Sequence, residues 1–225
     1  MIAPFQKAST SFYIRWAKKY LLKKILFLIA CCCCTAAFAQ DTCYLKIHFL
    51  YGSKPLRKYR DSEKKWFGGV LGGHVGIEGD TNKILNFVHT GSFHVFSEKS
   101  NRHSKYTIHA PNDFYSILSH NDDSAKRTIV YVPITKQQKH VFDSIQNAYL
   151  QQTPYDYALF GMRCGAASYE ILSKLDILPA YSYSKTYTKI FYPKKLRSRL
   201  LKKAAENGWA VETHNGCPKR KWEED

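Results

Sequence analysis

The stretch YDYALFGMRCGAASYEIL, residues 155–172, carries the pattern from which the fold is predicted. Its second half has apolar residues at helical spacing, and we expect a helix over residues 163–175. The positions that form its buried face are Ala167, Ile171, Leu172 and Leu175. Cys164 falls in the first turn, where unpaired N–H groups and the positive end of the helix dipole favour a thiolate. A reactive thiol is therefore expected at the start of this helix.

The chain before this helix has the patterns of β-strands. The segment GGHVGIEGD, residues 72–80, and the strand predicted at residues 83–89 have the form of a β-hairpin with a turn-rich centre. Further strands are expected at residues 44–51, 93–97, 106–109 and 128–134. The sequence thus predicts an antiparallel sheet that is completed before most of the helices begin.

Two further helices are indicated in the second half of the chain. Thr135 and Gln138 fit a capping box, and the apolar spacing that follows predicts a helix to about Gln151. A last helix is expected at about residues 193–206, with proline in its first turn. Together these elements predict an α+β fold, with an antiparallel sheet packed against a few helices in one domain over residues 40–225.

The first 39 residues are predicted to be a secretory signal peptide. Basic residues without any acidic one are followed by an apolar run, and Ala37-Phe38-Ala39 forms a small-x-small cleavage pattern. An apolar run of about fourteen residues is short for a membrane span. An alternative is a lipoprotein anchored through Cys31, because Leu28-Ile29-Ala30-Cys31 resembles a lipoprotein cleavage box. Either prediction implies export, to a periplasmic or extracellular location.

The chain is strongly basic, with a formal net charge of +16. Removal of residues 1–39 would take away six basic residues and leave a net charge of +10. Export argues against a nucleic-acid partner. The surplus is concentrated at residues 54–65 and 185–203, and it fits either an anionic envelope polymer or membrane surface, or an ordinary solvated surface.

Cys43, Cys164 and Cys217 remain outside the predicted signal peptide. In an oxidising compartment we expect a disulfide between Cys43 and Cys217, with Cys164 left as a free thiol. The alternative that Cys43 and Cys217 are both unpaired stays open, because connectivity does not follow from sequence.

A nucleophilic thiol needs a base, and His74 on the predicted hairpin is the best candidate. A two-residue turn at residues 81–82 would place His74 directly opposite His89, and a turn at residues 80–81 would make them diagonal neighbours. A three-residue loop would instead put the two histidines on opposite faces of the hairpin. His89 is therefore predicted to orient His74, with His94 as the alternative.

The order of these segments, GGHVGIEGD, then ILNFVHTG, then YDYALFGMRCGAASYEIL, resembles that of the circularly permuted papain-like thiol hydrolases. This group includes permuted NlpC-type cell-wall peptidases and relatives of lecithin retinol acyltransferase. The likeness covers residues 68–175, and it implies a permuted papain-like fold with Cys164 as nucleophile, His74 as base and His89 as the polar third residue. In the acyltransferase branch Asn typically precedes the nucleophile, whereas this chain has Arg163, a departure that bears on the substrate more than on the chemistry.

The resemblance implies an exported cysteine hydrolase that acts on amide bonds, with cell-wall peptides as substrates and lipid esters as the alternative. Tyr157 is a candidate for lining the cleft or holding the oxyanion, alongside a role in the core, and the backbone N–H of Cys164 would be the second donor. A rival hypothesis is a catalytically silent module that binds envelope polymers. The histidine spacings match no compact metal motif, so neither a metal nor a cofactor is predicted.

Overall fold

The computed structural model describes residues 43–63, 69–80, 82–101, 103–118 and 125–224. The predicted signal peptide, the lipoprotein alternative at Cys31 and the basic residues Lys64 and Lys65 lie outside the described residues. Among those described, no helix is long and apolar enough to span a bilayer.

The described residues form strands in the first half of the domain and most of the helices in the second half. The strands are β1 (Cys43–Tyr51), β2 (Ser53–Pro55), β3 (Gly73–Asp80), β4 (Lys83–His89), β5 (His94–Phe96), β6 (Ser104–His109), β7 (Arg127–Ile134), β8 (Ala158–Phe160), β9 (Val211–His214) and β10 (Arg220–Trp222). The helices are α1 (Pro111–Ser116), α2 (Lys136–Gln151), α3 (Cys164–Lys174), α4 (Tyr183–Lys189) and α5 (Pro193–Asn207). The predicted strands and the three predicted helices are all present, with bounds that differ by one or two residues at most positions.

Six strands form one antiparallel sheet in the order β6-β4-β3-β1-β7-β9. Two smaller pairs stand apart from it: β10 is antiparallel to β2, and β5 is parallel to β8. The class is therefore α+β, as the sequence predicts. The strand expected at residues 93–97 does form, but it pairs with the segment that leads into α3 rather than with the main sheet.

The larger hydrophobic core lies between the sheet and the helices α2, α3 and α5. Alternate residues of the central strands enter it, as expected for a pleated strand with one face against a core. Its members from β1, β3 and β4 are Leu45, Ile47, Phe49, Val75, Ile77, Leu85 and Phe87. A smaller cluster around Phe114 of α1 takes Leu50 and Ile84, which have the opposite parity. Both faces of the hairpin β3–β4 are thus covered.

The three predicted helices have the ends that their sequences indicate. Thr135 accepts a hydrogen bond from the backbone N–H of Gln138 at 3.1 Å, and the Gln138 side chain accepts one from the Thr135 N–H at 2.9 Å, which is the predicted capping box. Helix α5 has Pro193 in its first turn and ends at Gly208, whose φ of 66° is left-handed. Local signals therefore predict these helix ends correctly.

A β-bulge sets the register of the hairpin β3–β4. Next to the turn Asp80 pairs with Lys83, as in the register expected for a two-residue turn. Between Glu78 and Asp80 the pairing shifts by one residue, so that Gly76 lies opposite Asn86. A bulge adds one residue to one strand, so each residue beyond it pairs one position further along the partner strand. Because side chains alternate, a shift of one position changes which residues of the two strands share a face. This shift decides which residue of β4 faces His74.

Candidate active site

Cys164 is the first residue of α3 and stands where β3 begins. Its side chain is buried, and its sulfur lies 4.0 Å from the carbonyl oxygen of Gly73. The next residue, Gly165, packs against the start of α5, since a Cβ there would come within 3.1 Å of Pro193 Cα. The helix start is thus held between a strand and a second helix, which fixes the position of the thiol.

The thiol of Cys164 and the imidazole of His74 are neighbours, and each shifts the pKa of the other. Burial alone would raise the pKa of the thiol, but the charge of His74 and hydrogen bonds from His74, Tyr157 and the Val75 N–H outweigh burial and lower it. Burial alone would lower the pKa of His74, whereas the thiolate charge and the hydrogen bonds with Cys164 and Asn86 raise it. Both shifts favour a thiolate beside an imidazolium, the activated form of a nucleophilic cysteine.

Asn86 is the residue that orients His74. Its Oδ1 lies 2.9 Å from Nε2 of His74. Its Nδ2 lies 3.3 Å from the carbonyl oxygens of both Ile84 and Thr107 and 3.1 Å from Nδ1 of His109. Carbonyl oxygens only accept, so the NH₂ group must be on that side and Oδ1 must face the imidazole. Nε2 of His74 therefore carries a proton, which leaves Nδ1 to exchange a proton with the thiol.

The register that would bring His89 opposite His74 is not the one in the structure, and the prediction that His89 orients His74 is corrected to Asn86. The bulge places Asn86 diagonal to His74 on the same face. By alternation the His89 side chain leaves β4 on the other face, where its ring lies 5.6 Å from that of Tyr157. His89 still lines the cavity at Cys164, but it does not take the place of Asn86 beside His74. His94, the alternative orienting residue, is hydrogen-bonded through Nδ1 to Asp156 at 2.6 Å rather than to His74.

Tyr157 lines the same cavity as Cys164, and its hydroxyl group interacts with the thiol. This interaction with the thiol lowers the pKa of Cys164. Burial, together with the neighbouring negative charge, raises the pKa of the hydroxyl well above its ordinary value, so Tyr157 remains a donor at neutral pH. A hydroxyl and a backbone N–H side by side at the nucleophile are suitable donors for an oxyanion.

Asp156 holds the backbone next to Tyr157. One carboxylate oxygen accepts hydrogen bonds from His94 at 2.6 Å and from the Glu98 N–H at 2.9 Å, and the other accepts from Ser104 at 2.5 Å. Ser104 in turn accepts the N–H of Tyr157 at 2.6 Å. Burial opposes ionisation of Asp156, but these bonds outweigh it and lower its pKa. The hydrogen bond between His94 and Asp156 is the main reason that the pKa of the His94 imidazole is raised.

Sequence reasoning missed Asn86 and Asp156. A signal was available for Asn86, which is a polar residue inside the apolar run ILNFV and is 1% exposed. A buried amide must be hydrogen-bonded, which points to a partner on a neighbouring strand. Asp156 adjoins Tyr157 in the quoted stretch, but its partners come from residues about fifty to sixty positions earlier, and nothing local indicates them.

A cavity of about 450 Å³ opens at the thiol. Cys164, His74 and Tyr157 line it together with Arg163, and most of its remaining wall is apolar, with Leu71, Val88, Phe93, Ile117, Leu159 and Phe191. This volume is in the range of small-molecule and peptide side-chain pockets. The Cys164 thiol, the His74 imidazole and Tyr157 therefore border a cavity that could receive a molecule of moderate size with apolar groups.

The predicted disulfide is not formed: Cys43 and Cys217 are free thiols. Cys43 pairs with Ile134 at one end of β1. Cys217 is tied to the other end: its carbonyl oxygen accepts a hydrogen bond from Trp222, and Trp222 pairs with Ser53 just beyond β1. The nine residues of β1 separate the two ends by roughly 27 Å at the usual rise per residue. A disulfide requires Cα atoms within about 7 Å.

Within the described ranges, no three His, Cys, Asp or Glu side chains come together in a group that could hold a metal ion.

Comparisons with protein-family models, with curated proteins and with solved structures found no match to this chain. The α+β architecture and the geometry around Cys164 are therefore the basis for any statement about function.

Proposed function

We propose that this protein is a cysteine hydrolase of the permuted papain-like type, with Cys164 as nucleophile, His74 as general base and acid, and Asn86 as the residue that orients His74. The single observation that carries the proposal is the series from thiol to imidazole to amide at one cavity: His74 lies 2.9 Å from Asn86, and its charge and that of Cys164 lower the pKa of the thiol and raise that of the imidazole. The chain order, with the histidine before the cysteine, agrees with the permuted arrangement.

In the first half of the reaction the Cys164 thiolate attacks the substrate carbonyl carbon and forms a carbon–sulfur bond. The electron pair of the carbonyl moves onto oxygen, where the Cys164 N–H and the Tyr157 hydroxyl would stabilise the negative charge. As the tetrahedral intermediate collapses, His74 donates its Nδ1 proton to the leaving group. The products are a thioester on Cys164 and a free amine or alcohol.

In the second half the neutral His74 takes a proton from water, which attacks the thioester carbonyl. The carbon–sulfur bond breaks, the acid is released, and the thiolate and imidazolium are restored. Asn86 keeps the Nε2 proton of His74 in place through both halves, so that Nδ1 remains the nitrogen that exchanges protons.

The substrate class we favour is amide bonds of cell-wall peptides, which follows from the predicted export and from the resemblance to permuted NlpC-type peptidases. A lipid ester hydrolase or acyltransferase of the same fold is the second candidate. The mostly apolar wall of the cavity favours it, because an acyl chain would bury well there. Both candidates use the same acyl-enzyme chemistry, and the basic surface would assist either at an anionic envelope.

The first test is the pH dependence of Cys164 alkylation by iodoacetamide, followed site by site with mass spectrometry. In the wild type we expect the titration midpoint of Cys164 below that of an ordinary thiol, because His74 stabilises the thiolate. In His74→Ala the midpoint should rise. A wild-type midpoint that equals an ordinary thiol's and is unchanged in His74→Ala would contradict the activated pair and favour a silent binding module.

The second test detects the acyl-enzyme and separates the two substrate classes. A 4-nitrophenyl ester and a 4-nitroanilide of the same acyl group should both leave that group on Cys164, and Cys164→Ala should abolish the modification at this site. If only the ester acylates Cys164, the lipid ester candidate is favoured. The absence of any acylation by either reagent would rule out the hydrolase.

A further inference from the structure

Arg163, the residue before the nucleophile, is an unusual feature of the site. It lines the cavity and is 9% exposed. Two of its guanidinium nitrogens, Nε and Nη2, are buried without a hydrogen-bond partner. Buried charged groups are normally paired, because an unpaired one loses hydration without compensation. A buried guanidinium with free N–H donors beside a cavity therefore lacks the hydrogen-bond acceptor that would normally pair with it.

The groups around Arg163 hold it in place without satisfying its N–H donors. The guanidinium carbon lies 3.5 Å from the centroid of the Phe191 ring and 5.9 Å from that of Tyr192. Ring faces attract a cation, but they leave in-plane donors open. Burial lowers the pKa of Arg163, yet arginine stays protonated at any physiological pH. None of the described residues that line the cavity is Asp or Glu, so Arg163 has no carboxylate partner there; the charges of Tyr157, Cys164 and Tyr192 favour its protonated form without occupying Nε or Nη2.

We propose that Arg163 binds an anionic oxygen group of the substrate, a carboxylate or a phosphate, while the apolar wall receives an adjoining apolar group. This inference rests on the proposed hydrolase and deepens it by naming the substrate class. The guanidinium presents its donors in a planar fork that matches such groups, and water exclusion strengthens the pairing. The neighbouring position of Arg163 in the chain puts the anion close to the scissile carbonyl, so the charge would orient the substrate at the thiol.

The test uses two reagents that differ only in charge. Iodoacetate and iodoacetamide both alkylate a thiolate, with a carbon–sulfur bond formed and iodide released. Their rate constants at Cys164 are measured in the full chain by mass spectrometry, with Cys43 and Cys217 as internal reference thiols. We expect the iodoacetate-to-iodoacetamide ratio at Cys164 to be at least about tenfold higher than at the reference thiols, because the bound carboxylate is paired with a buried cation.

Variants separate Arg163 from the imidazolium of His74, which also attracts anions. Arg163→Met should lower the ratio by about tenfold, and Arg163→Lys should retain most of it. The matched control is Arg199→Met, which removes a guanidinium that also lies near tyrosine rings, but away from the cavity. Its ratio should equal the wild-type value. An unchanged ratio in Arg163→Met would overturn the inference.

A measurement on the wild type alone covers the case in which Arg163→Met does not fold. Glutarate and glycerol phosphate are compared with their neutral analogues, glutaramide and glycerol, as protectants of Cys164 against iodoacetamide. One of the anions should protect at a concentration about tenfold below that of its analogue, because only the anion pairs with the buried cation. The anion that does so identifies whether the bound group is a carboxylate or a phosphate. Equal protection within both pairs would overturn the role of Arg163. If iodoacetate and iodoacetamide both alkylate Cys164 no faster than they alkylate Cys43 and Cys217, the proposed hydrolase is refuted instead.

Discussion

Nε2 of His74 lies 2.9 Å from Oδ1 of Asn86, across two strands whose register is set by a β-bulge. The amide is held from behind by two backbone carbonyls and by His109. Because these contacts fix the orientation of the amide, they also fix the tautomer of the imidazole. The geometry therefore leaves Nδ1 of His74 as the ring nitrogen that is not bound to Asn86.

Asn86→Ala should reduce the rate of acyl-enzyme formation by about tenfold to a hundredfold, because a misplaced imidazole transfers protons poorly. The pH midpoint of Cys164 alkylation should also rise, since the bond from Asn86 helps to stabilise the imidazolium. His89→Ala is the matched control on the same strand and should have a much smaller effect. A larger loss in His89→Ala than in Asn86→Ala would restore the prediction made from the sequence.

Tyr157→Phe removes one of the two expected oxyanion donors while keeping the ring against Phe87 and His89. We expect kcat to fall by about 10²–10³ with KM nearly unchanged, because the lost bond acts mainly in the transition state. Tyr192→Phe removes the hydroxyl of the other tyrosine that lines the cavity and should change kcat only slightly. Equal losses in the two variants would argue against an oxyanion role for Tyr157.

Asp156→Ala should destabilise the protein by about 2–3 kcal/mol, because it leaves the buried Ser104 hydroxyl and the partly buried His94 imidazole without their acceptor. The same change should slow acylation, since Ser104 holds the backbone N–H of Tyr157. Urea denaturation of the variant measures the first effect. Asp143→Ala is the control: it breaks a partly exposed i,i+4 pair with Lys139, which keeps Asp80 as a partner, and should cost less than about 1 kcal/mol.

Glu78 should make the stability of the fold depend on pH in acid. Burial opposes its ionisation, but hydrogen bonds from His48 at 2.9 Å and Lys46 at 2.8 Å outweigh burial and lower its pKa from 4.5 to about 2. Because the folded pKa is depressed, the stabilising contribution is complete above pH 4.5 and is lost as the pH falls towards 2. With screening at the partly exposed Lys46, we expect this contribution to be on the order of 1–2 kcal/mol.

Urea denaturation at several pH values between 4.5 and 2 measures this effect. Glu78→Gln should lose less stability over that interval than the wild type. Glu206→Gln alters an exposed pair with Lys202 and should follow the wild-type slope. If the wild type and Glu78→Gln have the same slope, the carboxylate does not make the expected contribution.

Much of the fold was accessible from local patterns. The capping box at Thr135, the helix that begins at Cys164 and the hairpin around residues 73–89 all depend on neighbouring residues, and each is present in the structure. The position of Cys164 at a helix start followed from the same reasoning. The small helices α1 and α4 were not predicted, because short helices are stabilised by packing rather than by their own pattern.

The site was predicted less completely, for reasons that can be named. Because of one extra residue in the bulge, Asn86 rather than His89 is the partner of His74. Side chains alternate with a period of two, so a shift of one residue changes which of them share a face. Cys43 and Cys217 looked like a pair because they lie near the two ends of the domain sequence, but β1 holds them apart. The pattern of cysteines along a chain contains no distances, whereas a disulfide depends on distance alone.

Residue types and short-range periodicity were enough to indicate an α+β chain, a thiol at a helix N-terminus and a histidine on a strand, because helix capping and strand alternation act over a few residues. The identity of the third residue, the anchoring of Tyr157 by Asp156 and Ser104, and the enclosure of Arg163 arise from the packing of distant segments. Hydrogen bonds and desolvation act over a few ångströms in space. Only the folded chain establishes which side chains come that close.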